Sequence, residues 1–373
     1  MSRRPIRVAI VAASLRILGG QSIQAQRILD GFRDAPEVDA WLVPIDPVAP
    51  APFDRLQRVK FVRTIVTQLC YWPLLVRELR RADIVHVFSA SYFSFLLAPL
   101  PAVMVARLLG KPVLLNYHSG EAPDHLARSG LARFVLRRVV QHNVVPSPFL
   151  REVFAGFSLP AQVVANSIDL ERFAYRVRRP LRPRLLSTRS LEPMYNVACT
   201  LRAFARVQRA VPEAELTVAG GGSQRTALEA LASSLGLRGV RFIGAVAPDR
   251  IHECYAGADL YVQTPRIDNM PLSVLEAFAS GLPVVSTDIG GVPAILHDGV
   301  HGYLAPDDDD EAVAAQILAA LGDADEARRR AAAARASCSR YDWQTVRGQW
   351  LAAYRALPGT TRVSAAAAVE GRP

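Results

Sequence analysis

Two kinds of residue, lysine and cysteine, are scarce in this sequence of 373 residues. Lysine is nearly absent, since 42 of the 44 basic residues are arginine. Cysteine occurs four times, and no two cysteines form a Cys-x-x-Cys pair. This pattern argues against a zinc site or a disulfide framework and is typical of a reducing cytosol. The cysteines are Cys70, Cys199, Cys254 and Cys338.

Long apolar runs are also missing. A membrane-spanning helix needs about eighteen or more mostly apolar residues, and no such uncharged run occurs. The longest candidate, residues 91–106, contains two prolines and favours a buried helix. The opening Met-Ser-Arg-Arg-Pro leads directly into an apolar strand, so we expect no secretory signal. These features predict a cytoplasmic location.

Short apolar runs alternate with helix-like segments along the whole chain. The runs are rich in Val and Ile, which predicts parallel strands buried on both faces. Predicted strands lie at 8–12, 40–45, 84–88, 113–117, 143–146, 163–165, 184–187, 215–219, 240–243, 259–263 and 283–286. Predicted helices lie at 21–33, 57–81, 92–109, 126–141, 196–210, 224–235, 249–256 and 272–280.

This alternation predicts an α/β protein with two Rossmann-like domains that face each other across a cleft. The length also suits two domains better than one core. We place the first domain at residues 1–168 and the second at 169–340. The boundary follows from the turn Asn166-Ser167-Ile168-Asp169, which leads into a segment rich in Pro and Arg.

The segment around residues 268–285 carries the most information about function. Asp268 lies in a predicted loop, and Glu276 lies about one turn into a helix that starts near Pro271. Proline is tolerated in a first helical turn, and Ser273 can cap a free main-chain N–H there. A helix N-terminus between two strands is suited to binding a phosphate. Two acids eight residues apart are also common on solvated helix faces.

Together with its Asn-Met-Pro loop and Gly-Leu-Pro-Val-Val strand, this segment resembles the Glu-x7-Glu motif of the family 4 retaining glycosyltransferases, with Asp268 in place of the first Glu. The resemblance covers roughly residues 6–357 and implies the GT-B fold. It also implies a helix at 341–357 that crosses back to the first domain, and we expect a disordered tail at 358–373. It assigns the donor sugar to Asp268 and the residues after it, and the ribose hydroxyls to Glu276. The residues after Asp268 are Asn269, Met270, Pro271, Leu272 and Ser273.

Further positions match the family one by one. The resemblance places Gly19 and Gly20 against the donor diphosphate, although two glycines alone equally indicate a plain turn. His118 follows a predicted strand and would contact the transferred sugar, whereas a lone histidine is more often structural. Arg189 would bind the diphosphate. The glycine turn at Gly221 and the segment with Ile243 and Gly244 would lie near the nucleotide. These glycines are expected to have mainly a structural role, with any ligand contact made through the main chain.

One departure from the family is clear. Relatives carry a lysine five or six residues after the position of Arg189, where this chain has Tyr195 or its neighbour. The two lysines, Lys60 and Lys111, both lie in the first half. Arg266 is a candidate to supply the missing charge, because a guanidinium binds phosphate with two parallel hydrogen bonds. The alternative is that Arg266 is an ordinary surface residue beside Asp268.

The acidic run Asp307–Asp310 suggests a metal site at first sight. Because it precedes Glu311-Ala312-Val313, it favours a helix start stabilised by the helix dipole instead. We therefore expect no metal and no other cofactor, the nucleotide-sugar being a substrate.

The charge is unevenly distributed. Residues 1–165 carry 20 basic and 11 acidic residues, a balance of +9, whereas residues 166–373 balance to +1. Segments 55–81 and 126–142 mix arginine with apolar residues, a composition that binds anionic lipid surfaces. An Arg-biased composition is the alternative explanation. No nucleic acid partner is expected, because no recognised motif accompanies the charge.

We therefore predict a retaining, metal-independent glycosyltransferase that uses a nucleotide-sugar donor. Its acceptor is a glycan, a lipid-linked molecule or a small molecule, and a peripheral place at the cytoplasmic face of a membrane is one alternative for its location. Two other activities fit the same fold: a sugar-nucleotide epimerase and a non-catalytic subunit that binds a nucleotide-sugar. A dinucleotide oxidoreductase fits poorly, because no Gly-x-Gly-x-x-Gly follows the first strand.

Overall fold

The computed structural model of the chain describes residues 4–17, 19–59 and 61–358. They form two compact units: one joins the residues up to Ala165 with those from Val346 onward, and the other is Asn166–Thr345. The second unit begins three residues before the predicted boundary, because Asn166 is hydrogen bonded to Met270 of that unit. Of the predicted tail at 358–373, all but Pro358 lies outside the described residues.

The first unit is built on a six-stranded parallel sheet in the order β2-β1-β3-β4-β5-β6. Its strands are β1 (Ile6–Ala12), β2 (Val38–Pro44), β3 (Ile84–Ser89), β4 (Val113–Tyr117), β5 (His142–Val145) and β6 (Gln162–Val163). Its helices are α1 (Gly20–Phe32), α2 (Val62–Arg81), α3 (Tyr92–Leu97), α4 (Pro99–Leu108), α5 (Ala122–Arg128), α6 (Gly130–Phe134) and α7 (Pro148–Gly156).

The second unit repeats this plan with the strand order β12-β11-β10-β7-β8-β9, again with every pair parallel. Its strands are β7 (Arg184–Ser187), β8 (Glu215–Ala219), β9 (Val240–Gly244), β10 (Leu260–Gln263), β11 (Val284–Thr287) and β12 (Tyr303–Ala305). Its helices are α8 (Val197–Ala210), α9 (Arg225–Ser234), α10 (Ile251–Gly257), α11 (Leu272–Ser280), α12 (Asp310–Gly322) and α13 (Ala324–Ser337).

The central strands are buried on both faces, as the runs of Val, Ile and Leu require. Every residue of β3, β4, β10 and β11 is buried. Each unit has its own apolar core. Because all strands of one sheet are parallel, the loops after their carboxyl ends lie at one edge, and that edge carries the candidate residues.

Three predicted helices differ from the structure. The helix predicted at 57–81 begins only at Val62. The helix predicted at 92–109 is broken before Pro99, because proline lacks an N–H and clashes with the preceding turn. The helix predicted at 126–141 is three short pieces, since the Ser129 hydroxyl accepts from the Ala132 N–H and starts a new helix. Helices α7 and α13 and strand β12 were not predicted.

The last helix, α14 (Trp343–Arg355), belongs to the first unit from Val346 onward. Tyr354 on this helix lies with its hydroxyl 2.9 Å from Nδ1 of His86, which is fully buried in β3. The Trp350 ring lies 4.8 Å from the same imidazole. His86 is therefore a core residue. None of the helices in the described ranges has both the length and the apolar character needed to cross a bilayer.

Candidate functional site

Strand β10, the loop after it and helix α11 position the main group of candidate residues. Helix α11 begins at Leu272, with Pro271 in an extended conformation just before it. The cap predicted for Ser273 is wrong, because no side chain caps this helix. The Ser273 hydroxyl donates instead to Oε1 of Gln263 at 3.0 Å, and so ties the first turn of the helix to the end of β10.

Arg189 and Asp268 form a buried ion pair at the start of α11. Nη2 of Arg189 lies 2.6 Å from Oδ2 of Asp268, and its Nη1 donates to the Ser273 hydroxyl at 2.9 Å. The two side chains are 9% and 11% exposed, so water screens this pair little. Burial acts to lower the pKa of Arg189, but Asp268 and neighbouring tyrosines outweigh it and raise that pKa above its ordinary value. The guanidinium therefore stays charged.

The ring of Tyr195, one of the residues predicted at the position of the family lysine, lies against this guanidinium. The Arg189 carbon is 4.1 Å from the centre of the Tyr195 ring, a cation–π contact. Nε of Arg189 is buried and has no acceptor within the described ranges. The pair thus leaves one strong donor unused.

Glu276 lies one turn into α11 and is buried. The Tyr255 hydroxyl donates to its Oε2 at 3.0 Å and lies 2.7 Å from the Thr188 hydroxyl. Burial and the nearby Glu276 carboxylate raise the pKa of Tyr255 well above its usual value, so this phenol keeps its proton. Sequence reasoning missed Tyr255, Thr188 and Gln263. Only Gln263 gave a signal, as a polar residue at the end of a buried strand.

Two glycines hold the loops of this site together. A Cβ on Gly291 would overlap the Asn269 carbonyl oxygen, and the Gly291 N–H donates to the Asp268 carbonyl oxygen at 3.2 Å. A Cβ on Gly220 would overlap the carbonyl oxygen of Arg189. Any side chain at either position would move one member of the ion pair.

The other predicted residues of the second unit lie nearby or at neighbouring strand ends. Met270 is buried, and its carbonyl oxygen accepts from Nδ2 of Asn166 at 3.1 Å. The Asn269 N–H donates to Oδ1 of Asp268 at 2.8 Å. Gly221 follows β8, and Ile243 and Gly244 end β9, with Ile243 exposed.

Arg266 is paired elsewhere. Its Nη2 lies 2.7 Å from Oδ2 of Asp308, a carboxylate that also accepts from Nδ2 of Asn196 at 2.9 Å and from Nη2 of Arg202 at 3.1 Å. The hydrogen bonds from Asn196 and Arg266 lower the pKa of Asp308. The main-chain N–H of Arg266 donates to the carbonyl oxygen of Met194, the neighbour of Tyr195. The main chain of Arg266 therefore lies close to the segment in which relatives carry the lysine, whereas its guanidinium is held by Asp308.

The acidic run begins a helix, as expected. Asp309 accepts from the Ala312 N–H at 2.8 Å and caps α12. Asp310 pairs with Arg202 and Arg206 at 3.2 and 2.8 Å. In the part of the chain that the structure describes, no three His, Cys, Asp or Glu side chains are grouped so that they could hold a metal ion.

Two predicted elements lie in the first unit. Gly20 begins α1 and Gly19 directly precedes it; both are exposed and have open space where a Cβ would stand. His118 directly follows β4 and is half-buried, with its ring 5.1 Å from that of Phe88. Burial lowers the pKa of His118, so the imidazole is neutral near pH 7.

Known proteins share this organisation. Residues 18–172 match the model of "Glycosyltransferase Family 4", and residues 175–337 match that of "Glycosyl transferases group 1". A glycogen synthase of Mycobacterium tuberculosis is 30% identical over 287 residues, which are 71% of this chain and 67% of the relative. The chain belongs to the family 4 glycosyltransferases. The sulfoquinovosyl transferase SQD2 of Arabidopsis thaliana is 27% identical over 76% of this chain, which spans 59% of that relative's length.

Solved structures show the same fold. Anabaena HepE in complex with UDP-glucose has a TM-score of 0.75 at 18% identity, over 92% of this chain and 98% of that one. Sucrose-phosphate synthase from Thermosynechococcus elongatus has a TM-score of 0.74 at 18% identity, over 94% and 98% of the two chains. The two Rossmann-like domains of this glycosyltransferase are thus of the GT-B type.

Proposed function

We propose that this glycosyltransferase is a retaining enzyme that moves a sugar from a nucleoside diphosphate donor to an acceptor hydroxyl. The observation that carries the proposal is the buried Arg189–Asp268 pair at the start of α11, with Glu276 one turn along the same helix. One cation, two carboxylates and a helix N-terminus grouped around the start of α11 suit a ligand that has phosphate, sugar and ribose groups.

The donor phosphates are assigned to Arg189 and to the main-chain N–H groups at the start of α11. Both offer N–H groups that donate hydrogen bonds to an anion, and Nε of Arg189, which has no acceptor among the described residues, offers one more. Asp268 is assigned to the sugar hydroxyls and Glu276 to the ribose. The solved structures of Anabaena HepE with UDP and with UDP-glucose support a donor of this class. In the first unit, the Gly19–Gly20 turn is assigned to donor phosphate and His118 to the transferred sugar.

In the proposed reaction the bond between the anomeric carbon and the phosphate oxygen breaks, and the acceptor oxygen bonds to that carbon from the same face. The acceptor's proton passes to the departing phosphate, so no carboxylate nucleophile is needed. Negative charge grows on the leaving group, and the fixed Arg189 cation stabilises it without reorganisation. Because Arg189 is held by both Asp268 and Ser273, its position is set before the donor binds.

A panel of UDP-, GDP- and ADP-sugars tests this function. A donor that binds the native state raises the melting temperature by mass action, and the donor so identified is then incubated with candidate acceptors. Transfer with retention of anomeric configuration is the expected result, and inversion would exclude the proposed mechanism. Donor isomerisation without transfer would favour an epimerase.

A non-catalytic binding subunit is the second candidate, because the second unit has no lysine to take the place of the family lysine and Asp308 holds Arg266. Donor binding without turnover in any acceptor mixture would favour it.

The proposed enzyme needs no divalent metal. Arg189 and the main-chain N–H groups are assigned to balance the negative charge of the donor phosphates, which a metal would otherwise balance. Turnover is expected to survive EDTA, and a strict requirement for Mg²⁺ or Mn²⁺ would overturn this assignment of the phosphates.

We further propose that the first unit binds the anionic cytoplasmic face of a membrane. One face of α2 and the residue before it carry an apolar stripe, defined as Phe61, Ile65, Leu69 and Trp72. These side chains are between 41% and 77% exposed, and their spacing puts them on one side of the helix. Such a stripe normally packs against something apolar.

The charge beside the stripe favours an anionic lipid as the occupant. Arg55, Arg58 and Arg63 are exposed, and none forms an ion pair within the described ranges. Each basic residue near an anionic surface contributes about 1 kcal/mol. The second basic segment is less suited than predicted, because Arg133 and Arg137 donate to main-chain carbonyl oxygens, Arg133 to that of Ala127 and Arg137 to that of Phe157.

Vesicle co-sedimentation tests this surface. Binding to phosphatidylglycerol vesicles is expected to exceed binding to phosphatidylcholine and to weaken with salt. Ile65→Gln with Leu69→Gln is expected to reduce it at least about tenfold, since each change removes an exposed aliphatic chain that the lipid would bury. Val177→Gln with Val300→Gln, two exposed residues of the second unit, is the matched control. Equal binding to both lipids, or none to either, would leave a soluble enzyme with a sugar or small-molecule acceptor.

A further inference from the structure

The segment 176–184 has a composition unlike the rest of its unit. It contains five arginines and no acidic residue within nine positions. Residues 166–345 as a whole carry 20 basic and 22 acidic residues, a balance of −2. A general bias towards arginine therefore does not explain this local excess. The arginines are Arg176, Arg178, Arg179, Arg182 and Arg184.

Four of these arginines line one cavity of about 250 Å³, called here the arginine cavity. Its walls are Arg176, Arg179, Arg182, Arg184, Pro180, Ala256, Gly257 and Asp259. Asp259 is the only acid among them, it is 4% exposed, and it already lies 3.3 Å from Nη2 of Arg176. Within the described ranges no carboxylate pairs with Arg179, Arg182 or Arg184.

The fifth arginine adds positive charge from behind the cavity. Arg178 is 1% exposed, and its guanidinium donates to the carbonyl oxygens of Tyr255 at 2.9 Å and Ala258 at 3.3 Å and to that of Ser280. Burial, followed by the charge of Arg176, lowers the pKa of Arg178 to about 10. It remains a cation at neutral pH, and its hydrogen-bond partners among the described residues are carbonyl oxygens, not carboxylates.

The arginine cavity is separate from the donor site. Arg184 begins β7 and Asp259 directly precedes β10, so the cavity lies at the amino ends of these strands. Arg189 and Asp268 follow the carboxyl ends of the same two strands. A four-residue strand spans roughly 10 Å or more, which is too far for one phosphate group to reach both places.

We propose that the arginine cavity is a second binding site, for a phosphate-bearing small molecule. Four arginines line this space, and only Arg176 has a carboxylate partner among the described residues, so the other three positive charges repel one another until an anion enters. Phosphate fits best, because its oxygens accept the paired hydrogen bonds that a guanidinium offers. A cavity of about 250 Å³ has room for a pyrophosphate or a sugar phosphate. A phosphate headgroup of a lipid offers the same chemistry.

Hydrogen exchange with the full chain tests the site, because it shows where a ligand binds. Pyrophosphate and glucose 6-phosphate are expected to protect peptides covering 176–184 and 255–259. The variant Arg179→Gln, Arg182→Gln, Arg184→Gln is expected to weaken this effect roughly tenfold or more, since several charge-assisted hydrogen bonds are lost. The matched control is Arg209→Gln, Arg238→Gln, Arg241→Gln, which removes the same charge and is expected to bind normally. These three arginines are exposed and form no ion pair with any residue that the structure describes.

The outcomes separate the sources of the phosphate. Protection by both soluble phosphates identifies a free metabolite. Protection only by vesicles that contain phosphatidic acid identifies a lipid headgroup and keeps the site. Three outcomes would overturn the proposed phosphate site. They are an equal loss of protection in both triple variants, no protection of 176–184 by any phosphate, and protection only by a polynucleotide. Peptides covering 266–276 report the donor site in the same experiment, so failure of the proposed transferase function would be seen independently.

Discussion

The two units share one architecture and differ in how their surfaces use charge and apolar area. Each contains six parallel strands with helices between them. Of the 21 exposed large apolar side chains among the described residues, 17 belong to the first unit and four to the second. Residues 1–165 have a balance of +9, whereas residues 166–345 have a balance of −2.

Outside the arginine cavity, many charges of the second unit are arranged in specific pairs. Arg189 is paired with Asp268, Arg225 with Glu229, and Arg266 with Asp308. A network of fixed charges suits a small charged ligand of one shape. The first unit presents a broad basic and apolar surface, which suits an extended partner. The proposed function thus assigns two kinds of recognition to one fold, and the difference lies in the side chains outside the cores.

The largest expected effect comes from the second unit. Arg189→Ala is expected to lower transfer by about 10²–10³-fold, because the cation that stabilises the leaving group is lost. Vesicle binding is expected to stay unchanged, since the first unit is untouched. Steady-state rates with the identified donor measure the first effect, and co-sedimentation the second.

A control separates chemistry from stability in this variant. Arg189→Ala leaves Asp268 buried without its ion-pair partner, which destabilises the fold. Adding Asp268→Asn is expected to recover the melting temperature but not the affinity for free nucleoside diphosphate, which lacks the sugar assigned to Asp268. Recovery of that affinity would contradict the assignment of Arg189 to the phosphates.

Glu276→Ala is expected to have the next largest effect. A charged hydrogen bond to ribose contributes about 1.5–3 kcal/mol, so donor and free nucleoside diphosphate should both bind about 10- to 150-fold more weakly. Calorimetric titration of the identified nucleotide measures this. Unchanged nucleotide affinity in a folded variant would show that Glu276 has another role.

The first unit is expected to be the more sensitive to acid. Burial, with His118 nearby, lowers the pKa of His86 to about 3, whereas an unfolded histidine titrates near 6.5. The unfolded state therefore binds more protons between these values, and stability falls as pH falls through this window. By pH 5 the loss is about 2 kcal/mol. Denaturant unfolding of the protein at pH 7.5 and pH 5 measures it.

His86→Gln is the control, because its amide can still bond the Tyr354 hydroxyl. This variant should lose less stability between the two pH values than the natural protein. An equal loss in both would place the acid sensitivity elsewhere.

The smallest effect concerns Asp308, which holds Arg266. If Arg266 contributes to phosphate binding, Asp308→Asn frees its charge and should tighten nucleoside diphosphate binding only a few-fold, because exposed pairs contribute about 0–1 kcal/mol. Asp310→Asn removes the same charge and one partner of Arg202 and of Arg206, but it leaves Arg266 held by Asp308. Equal tightening in both variants would attribute the effect to net charge and not to Arg266.

The sequence predicted best those parts of the fold that depend on local patterns. Strands β4, β7 and β8 and helix α11 were predicted with their observed ends, because a buried run between turn residues has one simple solution. The helix predicted at 126–141 failed because Ser129 competes for main-chain N–H groups in its middle.

The site was predicted in part for the same reason. Asp268 and Glu276 lie on one continuous segment, and their placement around α11 could be predicted from it. The partners of that segment could not. Tyr255 reaches Glu276 across 21 residues, and Asp308 reaches Arg266 across 42. Such contacts depend on how helices and strands pack, which no local pattern records.

Helix α14 has a consequence for how the protein is made. Trp350 and Tyr354 cover His86 in the core of the first unit, yet they are among the last described residues of the chain. A ribosome that adds about 5–20 residues per second needs roughly 10–40 s to pass from Ala165 to Tyr354. During that time all residues of the second unit are synthesised, while His86 of the first unit still lacks its contacts with Trp350 and Tyr354. The unit that comes first in the sequence is thus the last to be complete.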